Sequence, residues 1–141
     1  MKLAGVNIVA PVAWTFYPFD QLILARRDTA VGSLQLSTAF RQDLAGGASH
    51  ADCLSLAQQF AVSDGTNEPF DIVKAGEGDT LFGAFSLTVS EDFKRAWYRY
   101  SKRQLILGVY TCPQSRSSEA GVELKEAEQI IRASDYATPS I

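Results

Sequence analysis

The chain has 141 residues, with 13 Lys and Arg against 16 Asp and Glu, so its formal net charge is -3, and 46% of its residues are hydrophobic. This composition is typical of one globular domain with an adequate core, and it excludes a disordered, collagen-like or membrane-spanning chain. The acidic balance disfavours a general nucleic-acid binder, which usually carries a basic excess, so nucleic acid is not an expected partner.

The first third of the chain predicts strands. Residues 5–10 alternate loosely and end at Pro11, which predicts a short strand. Four aromatic residues then crowd around Pro18, and we expect this cluster in a turn: Trp14, Phe16, Tyr17 and Phe19. The apolar run 22–25 predicts a strand covered on both faces. The alternating run 33–40 predicts its antiparallel hairpin partner.

A helix of three to four turns is predicted after the hairpin. Ser49, with Asp52 three residues on, is a weaker form of the capping box that begins helices. An apolar stripe at helical spacing follows: Cys53, Leu54, Ala57, Phe60 and Ala61. The segment 63–69, SDGTNEP, ends the helix because glycine, asparagine and proline each disfavour it.

Between residues 72 and 112 the apolar pattern has a period of two, which predicts antiparallel strands. The strands with this pattern are 72–75, 80–89, 93–101 and 104–112. The last three follow each other closely and predict a meander. Pro113 ends the last strand because proline cannot donate to a strand ladder.

A second amphipathic helix is predicted at the end of the chain, from residue 118 to residue 134. Its buried stripe is Ala120, Leu124, Ala127, Ile131 and Ser134. The order of strands and helices predicts one α+β domain over residues 1–141, with a mostly antiparallel sheet of about six to seven strands and two helices packed on it. If both helices lie on one face, the other face is free for a partner.

One pair of residues suggests catalysis. His50 and Cys53 stand three apart at the start of a predicted helix, so their side chains can share a face. They would suit a small thiol-dependent hydrolase or half of a metal site. A structural role is favoured, because a nucleophilic dyad also needs an oxyanion site and a single histidine cannot complete a zinc set. No catalytic residue, metal ligand or cofactor is therefore predicted.

The most distinctive charge pattern is segment 93–103, where five basic residues alternate with aromatic ones. On a strand, the basic and aromatic residues at odd positions project to one face. Arg, Trp and Tyr are enriched in protein interfaces. The predicted partner-binding residues are therefore Arg95, Trp97, Arg99, Arg103, Trp14, Tyr17 and Phe19. Two alternatives stay open: these side chains cover a sheet face, or they stack on nucleic-acid bases.

The expected compartment is the cytoplasm. Cys53 and Cys112 lie in different predicted elements and are expected to be free thiols. No segment approaches the roughly 18 apolar residues that a membrane helix needs. The apolar start is interrupted by Asn7 and Pro11, so it does not predict a secretion signal.

The element order and four motifs resemble the PsbP-like and DcrB-like superfamily of small α/β/α sandwich proteins. The motifs are P-x-x-W at Pro11 and Trp14, W-Y-R-Y at 97–100, Q-L-I-L-G-V-Y-T-C at 104–112 and A-E-Q-I-I-R-A-S at 127–134. The resemblance implies an α/β/α sandwich and a mostly non-enzymatic family. Its members include photosystem accessory proteins, lipoproteins, chaperones of secretion effectors, and immunity proteins of similar fold. The chain lacks a lipobox cysteine near its start, which departs from the lipoprotein branch.

The first functional hypothesis is a non-catalytic protein-binding module of a bacterial cytosol, namely an immunity protein that neutralises a cognate toxin. An adaptor chaperone for a type VI secretion effector is the alternative, and the hydrolase using Cys53 and His50 is the third. The expected partner is another protein, either a toxin or a secreted effector, and a homodimer is also considered. No metal, cofactor or membrane span is expected.

Overall fold

The computed structural model describes residues 2–3, 6–20, 22–37, 48–62, 67–78, 80–101 and 104–136. Within them the strands are β1 (Lys2–Leu3), β2 (Val6–Asn7), β3 (Trp14–Phe19), β4 (Leu22–Arg27), β5 (Ser33–Ser37), β6 (Phe70–Glu77), β7 (Thr80–Val89), β8 (Asp92–Ser101), β9 (Gln104–Pro113) and β10 (Asp135–Tyr136). The helices are α1 (His50–Ala61) and α2 (Gly121–Ala133), and a 3-10 helix (Gln114–Glu119) precedes α2.

The strands form one large and one small sheet. The large sheet has seven strands in the order β3-β4-β5-β9-β8-β7-β6, and every neighbouring pair is antiparallel. The small sheet has the order β1-β2-β10. The predicted α+β class, the hairpin of β4 and β5 and the meander of β7, β8 and β9 are therefore confirmed.

The two helices lie on opposite faces of the large sheet. Cys53 and Ala57 of α1 pack with Phe85 and Tyr98 in one core cluster. In the other cluster, α2 packs on the face that carries Trp97. Because side chains alternate across a strand, one sheet supplies an apolar layer to each helix. The arrangement is the predicted α/β/α sandwich.

Three strand predictions were wrong in detail. The aromatic segment predicted as a turn is strand β3, which tolerates Pro18 because it lies at the edge of the sheet. The strand predicted over 5–10 is only Val6–Asn7, which pairs with β1 and β10. In β4, Ile23 is fully buried but Leu22 is 40% exposed. The second face of β4 is therefore partly open to solvent at Leu22.

Helix starts were predicted with different success. Ser49 Oγ accepts from the Asp52 N–H at 3.1 Å, and Asp52 Oδ2 accepts from the Ser49 N–H at 3.1 Å, so the predicted capping box is confirmed. The terminal helix begins at Gly121 instead of residue 118. The residues before it form the 3-10 helix, whose tighter hydrogen bonding connects β9 to α2.

Candidate functional site

The basic and aromatic residues predicted on one face of β8 do share a face, and α2 packs against it. Arg95, Trp97 and Arg99 share a face, as their register on β9 requires. That face packs under α2: Trp97 is 1% exposed, and its Nε1 donates to Glu128 Oε1 at 3.3 Å. Arg99 Nη1 donates to the carbonyl of Ser134, the residue that directly follows α2. Trp97 is therefore not accessible to a partner, because α2 covers it, whereas Arg95 and Arg99 are half-buried and their role in partner binding stays a prediction. Arg103 lies outside the described residues.

The predicted aromatic cluster of β3 is divided between the two faces. Trp14 is buried on the α2 side, where its Nε1 donates to Glu126 Oε1 at 3.0 Å. Tyr17 and Phe19 stand at odd offsets from Trp14 and project to the opposite face. They are 47% and 60% exposed. A shallow groove of about 250 Å³ on this part of the sheet is lined by Phe19, Leu22, Ile23, Leu24 and Gln35. The role of these aromatic residues in partner binding stays a prediction.

The histidine near the first helix has a structural arrangement. The Nδ1 atom of His50 lies 2.6 Å from the Tyr98 hydroxyl, and Nε2 lies 2.9 Å from the Gly76 carbonyl. A carbonyl only accepts, so Nε2 donates, and in the neutral ring Nδ1 accepts from Tyr98. Both ring nitrogens are thus used to join α1 to β8 and to the last residues of β6.

The Cys53 thiol lies in the core. Cys53 is fully buried, and burial, followed by the nearby Asp52 carboxylate, raises its pKa to about 11. At neutral pH only roughly one thiol in 10,000 would be ionised at such a pKa. A thiolate is the form that attacks a substrate, so this geometry argues against the predicted hydrolase pair.

Native protein is expected to resist iodoacetamide at pH 7.5, with neither thiol alkylated over an hour. Cys53 and Cys112 are both free and buried. Burial raises the pKa of each thiol. Both should react once the chain is unfolded in urea, which is the control for reagent quality. Mass spectrometry of the labelled peptides measures this, and rapid labelling of native Cys53 over Cys112 would revive the catalytic hypothesis.

A buried carboxylate fixes the start of α2. Glu123 is 1% exposed and accepts four hydrogen bonds. Its donors are Thr29 Oγ1 at 2.5 Å, the Val31 N–H at 2.9 Å, the Gly32 N–H at 3.0 Å and the Tyr110 hydroxyl at 2.8 Å. Burial raises the pKa of Glu123, but the hydrogen bonds outweigh it, and the net pKa lies below the ordinary value. The sequence showed only an acid near a helix start.

A second exposed apolar surface of the large sheet lies at its other edge, on β6. Phe70, Ile72 and Val73 are 42%, 48% and 46% exposed. A bulge interrupts the ladder here, because Asp71 and Ile72 together oppose the single residue Phe85 of β7. Asp71 has a φ of 51°. Such bulges change the direction of side chains at sheet edges. The sequence had indicated only a short strand at 72–75.

A groove of about 540 Å³ lies beside this edge, on the α2 side of the sheet. Its lining residues are Asp71, Ile72, Val73, Ser86, Phe93, Arg95 and Leu124. Arg95 Nη1 donates to the Asp71 carbonyl at 2.8 Å and to Ser86 Oγ at 2.9 Å. Burial lowers the pKa of Arg95, against the influence of the Glu128 and Asp71 carboxylates. One predicted partner-binding residue therefore lines the groove.

Across the described part of the chain, no group of three or more His, Cys, Asp and Glu residues lies close enough together to hold a metal ion. None of the helices in that part has the length and apolar character to cross a membrane.

The fold is similar to that of cyanobacterial PsbP (CyanoP) from Synechocystis sp. PCC 6803. That solution structure matches with a TM-score of 0.53 and 11% sequence identity, over 96% of this chain and 94% of that chain. A crystal structure from Bacteroides thetaiotaomicron VPI-5482 has a TM-score of 0.49 and 14% identity, over 97% of this chain and 47% of that chain. No protein-family model and no curated protein matches the sequence. At such identity the first likeness confirms a PsbP-like fold and extends neither to the DcrB-like branch nor to immunity proteins.

Proposed function

From this PsbP-like fold, we propose that the chain is a non-catalytic protein-binding module and that its docking surface is the exposed edge of β6. The observation that carries the proposal is the group of three large apolar side chains on that edge: Phe70, Ile72 and Val73. Exposed apolar side chains in one patch are typical of interaction sites, and an edge strand also offers unpaired backbone groups to a partner.

Within this class, the first proposed role is an immunity protein that binds and neutralises a toxin in a bacterial cytosol. The alternative is an adaptor chaperone for a secreted effector. Both roles require a surface that binds another protein without chemistry. A thiol-dependent hydrolase is less favoured, because Cys53 is buried and both ring nitrogens of His50 are hydrogen-bonded.

The test is capture of a partner by the tagged chain in its own host. We expect the partner to be retained by the unaltered chain and lost by the double variant Ile72→Glu, Val73→Glu. The matched control is Val122→Glu, which changes an apolar residue of α2 that is 58% exposed. A partner lost equally from both variants, or retained by both, would contradict docking at β6.

The captured protein then separates the two roles. Expressed alone, a toxin should arrest growth, and co-expression of the unaltered chain, but not of the β6 variant, should restore it. An effector should instead be insoluble or degraded when it is expressed without the chain, and its expression should not affect growth. Capture only of an untagged second copy of the chain would indicate a homodimer and count against both roles.

A further inference from the structure

The groove beside β6 contains a cation that lacks an ion pair. Arg95 is partly buried, and its Nη1 donates to two neutral oxygens, the Asp71 carbonyl and Ser86 Oγ. Within the described ranges, no carboxylate is close enough to form an ion pair with its guanidinium. A guanidinium has five N–H groups in a fork that matches a carboxylate, and pairing offsets the cost of its burial.

The carboxylates nearest to this cation leave it available. Glu128 accepts from Trp97 Nε1 at 3.3 Å and from Arg132 Nε at 3.5 Å. Asp71 contributes its carbonyl oxygen to Arg95. The Asp71 carboxylate favours the charged form of Arg95 but makes no ion pair with it. Glu128 and Asp71 are therefore the two acidic groups that would compete with an incoming carboxylate, and Asp71 is the one that lines the groove.

The groove is lined by both apolar and polar side chains and is continuous with the exposed edge. Ile72 and Val73 lie on one side, Phe93 and Leu124 supply the other apolar side chains, and Asp71, Ser86 and Arg95 are the polar residues of the lining. The groove has about 540 Å³, which is room for several side chains. Because Ile72 and Val73 are also exposed on the strand edge, a chain that lies along β6 would place alternate side chains in the groove.

We propose that this groove binds an extended, acidic and apolar segment of a partner protein, in which one carboxylate pairs with Arg95 and neighbouring apolar side chains lie against Ile72 and Leu124. The inference rests on the proposed function and adds the chemistry of the partner. The positive charge of Arg95 favours an acidic residue in the partner segment, and the apolar side chains of the groove favour apolar residues beside that acid.

A displayed library of random twelve-residue peptides tests this chemistry without knowledge of the partner. Selection on the folded chain is expected to enrich peptides with an Asp or Glu between apolar residues. Their dissociation constants should rise at least about tenfold on Arg95→Gln, since a charge-assisted pair is lost. They should rise also on Ile72→Glu. Arg95→Lys should recover only part of the affinity, and Asp71→Asn should tighten binding by about twofold to threefold.

Circular dichroism and urea unfolding check that each variant is folded. If Arg95→Gln does not fold, the tighter binding expected of Asp71→Asn still tests the inference. Peptides that depend on Ile72 but carry no acid, or that bind Arg95→Gln as tightly, would overturn the inference and leave the proposed function standing. Selection of no peptide that depends on Ile72 would also overturn it. The proposed function is then decided separately by the capture experiment.

Discussion

Replacing Glu123 by alanine is expected to lower the free energy of unfolding by about 3–5 kcal/mol. The carboxylate is 1% exposed and accepts hydrogen bonds from Thr29, Val31, Gly32 and Tyr110. The variant leaves these donors buried without an acceptor, and it releases α2 from the turn between β4 and β5. Urea unfolding at pH 7, followed by circular dichroism, measures the change. A loss of that size is a large part of the stability of a domain this long.

Glu119→Ala is the matched control. It removes an exposed carboxylate four residues earlier, whose partner among the described residues is Arg116, at 3.2 Å. Exposed ion pairs contribute little to stability. The midpoint of unfolding of this variant should stay close to that of the unaltered chain. Similar midpoints for the Glu119 and Glu123 variants would show that the buried carboxylate does not stabilise the start of α2.

The same carboxylate makes the stability depend on pH. The hydrogen bonds hold the pKa of Glu123 below the ordinary glutamate value of 4.5, against the effect of burial. A lowered folded-state pKa stabilises the protein above the unfolded-state value, and this stability is lost as the pH falls through the folded-state pKa. The unaltered chain should therefore lose stability below pH about 4.5, and Glu123→Gln should show a shallower loss. Glu126, whose pKa Arg27 lowers, keeps part of the slope in both.

Gly83→Ala is expected to cost about 2–4 kcal/mol, although it adds one methyl group. A Cβ atom at Gly83 would lie 2.1 Å from Cζ and 2.2 Å from Cε2 of Tyr98. The ring cannot move away cheaply, because Tyr98 is fully buried and its hydroxyl is 2.6 Å from His50 Nδ1. The variant should therefore displace the Tyr98 ring and break the hydrogen bond between its hydroxyl and His50 of α1. Thermal and urea unfolding measure the cost.

Gly121→Ala is the control for this prediction. Nothing lies within 4 Å of a Cβ atom at Gly121, and the residue begins α2, so alanine should be neutral or slightly stabilising. Adding Tyr98→Leu to Gly83→Ala makes the explanation testable. If the clash is the cause, the double variant should be more stable than the sum of the two single changes predicts. Additive losses would mean that the ring and the glycine do not interact.

The candidate surface could be predicted only in part. Alternation along β8 correctly placed Arg95, Trp97 and Arg99 on one face. The sequence does not show which helix covers that face. Trp97 and Arg99 were therefore expected on an open surface, although both contact α2 or the residue that follows it. Arg95 lines the groove beside the bulge of β6, where Leu124 of α2 is also part of the lining. The bulge depends on how β6 pairs with β7, and the sequence of β6 contains no pattern that predicts it.

Local chemistry was sufficient for the class of fold. A period of two defines the strands of the meander, and the helical stripe with the Ser49 capping box defines α1, because these patterns depend on neighbours within a few residues. Contacts between distant segments decided everything else about the site. Tertiary packing brought Glu123 to Gly32, Tyr98 to His50 and Trp14 to Glu126, across 91, 48 and 112 positions. Such pairs form because buried polar groups require partners, and only the packing of the two helices on the sheet determines which partners are near.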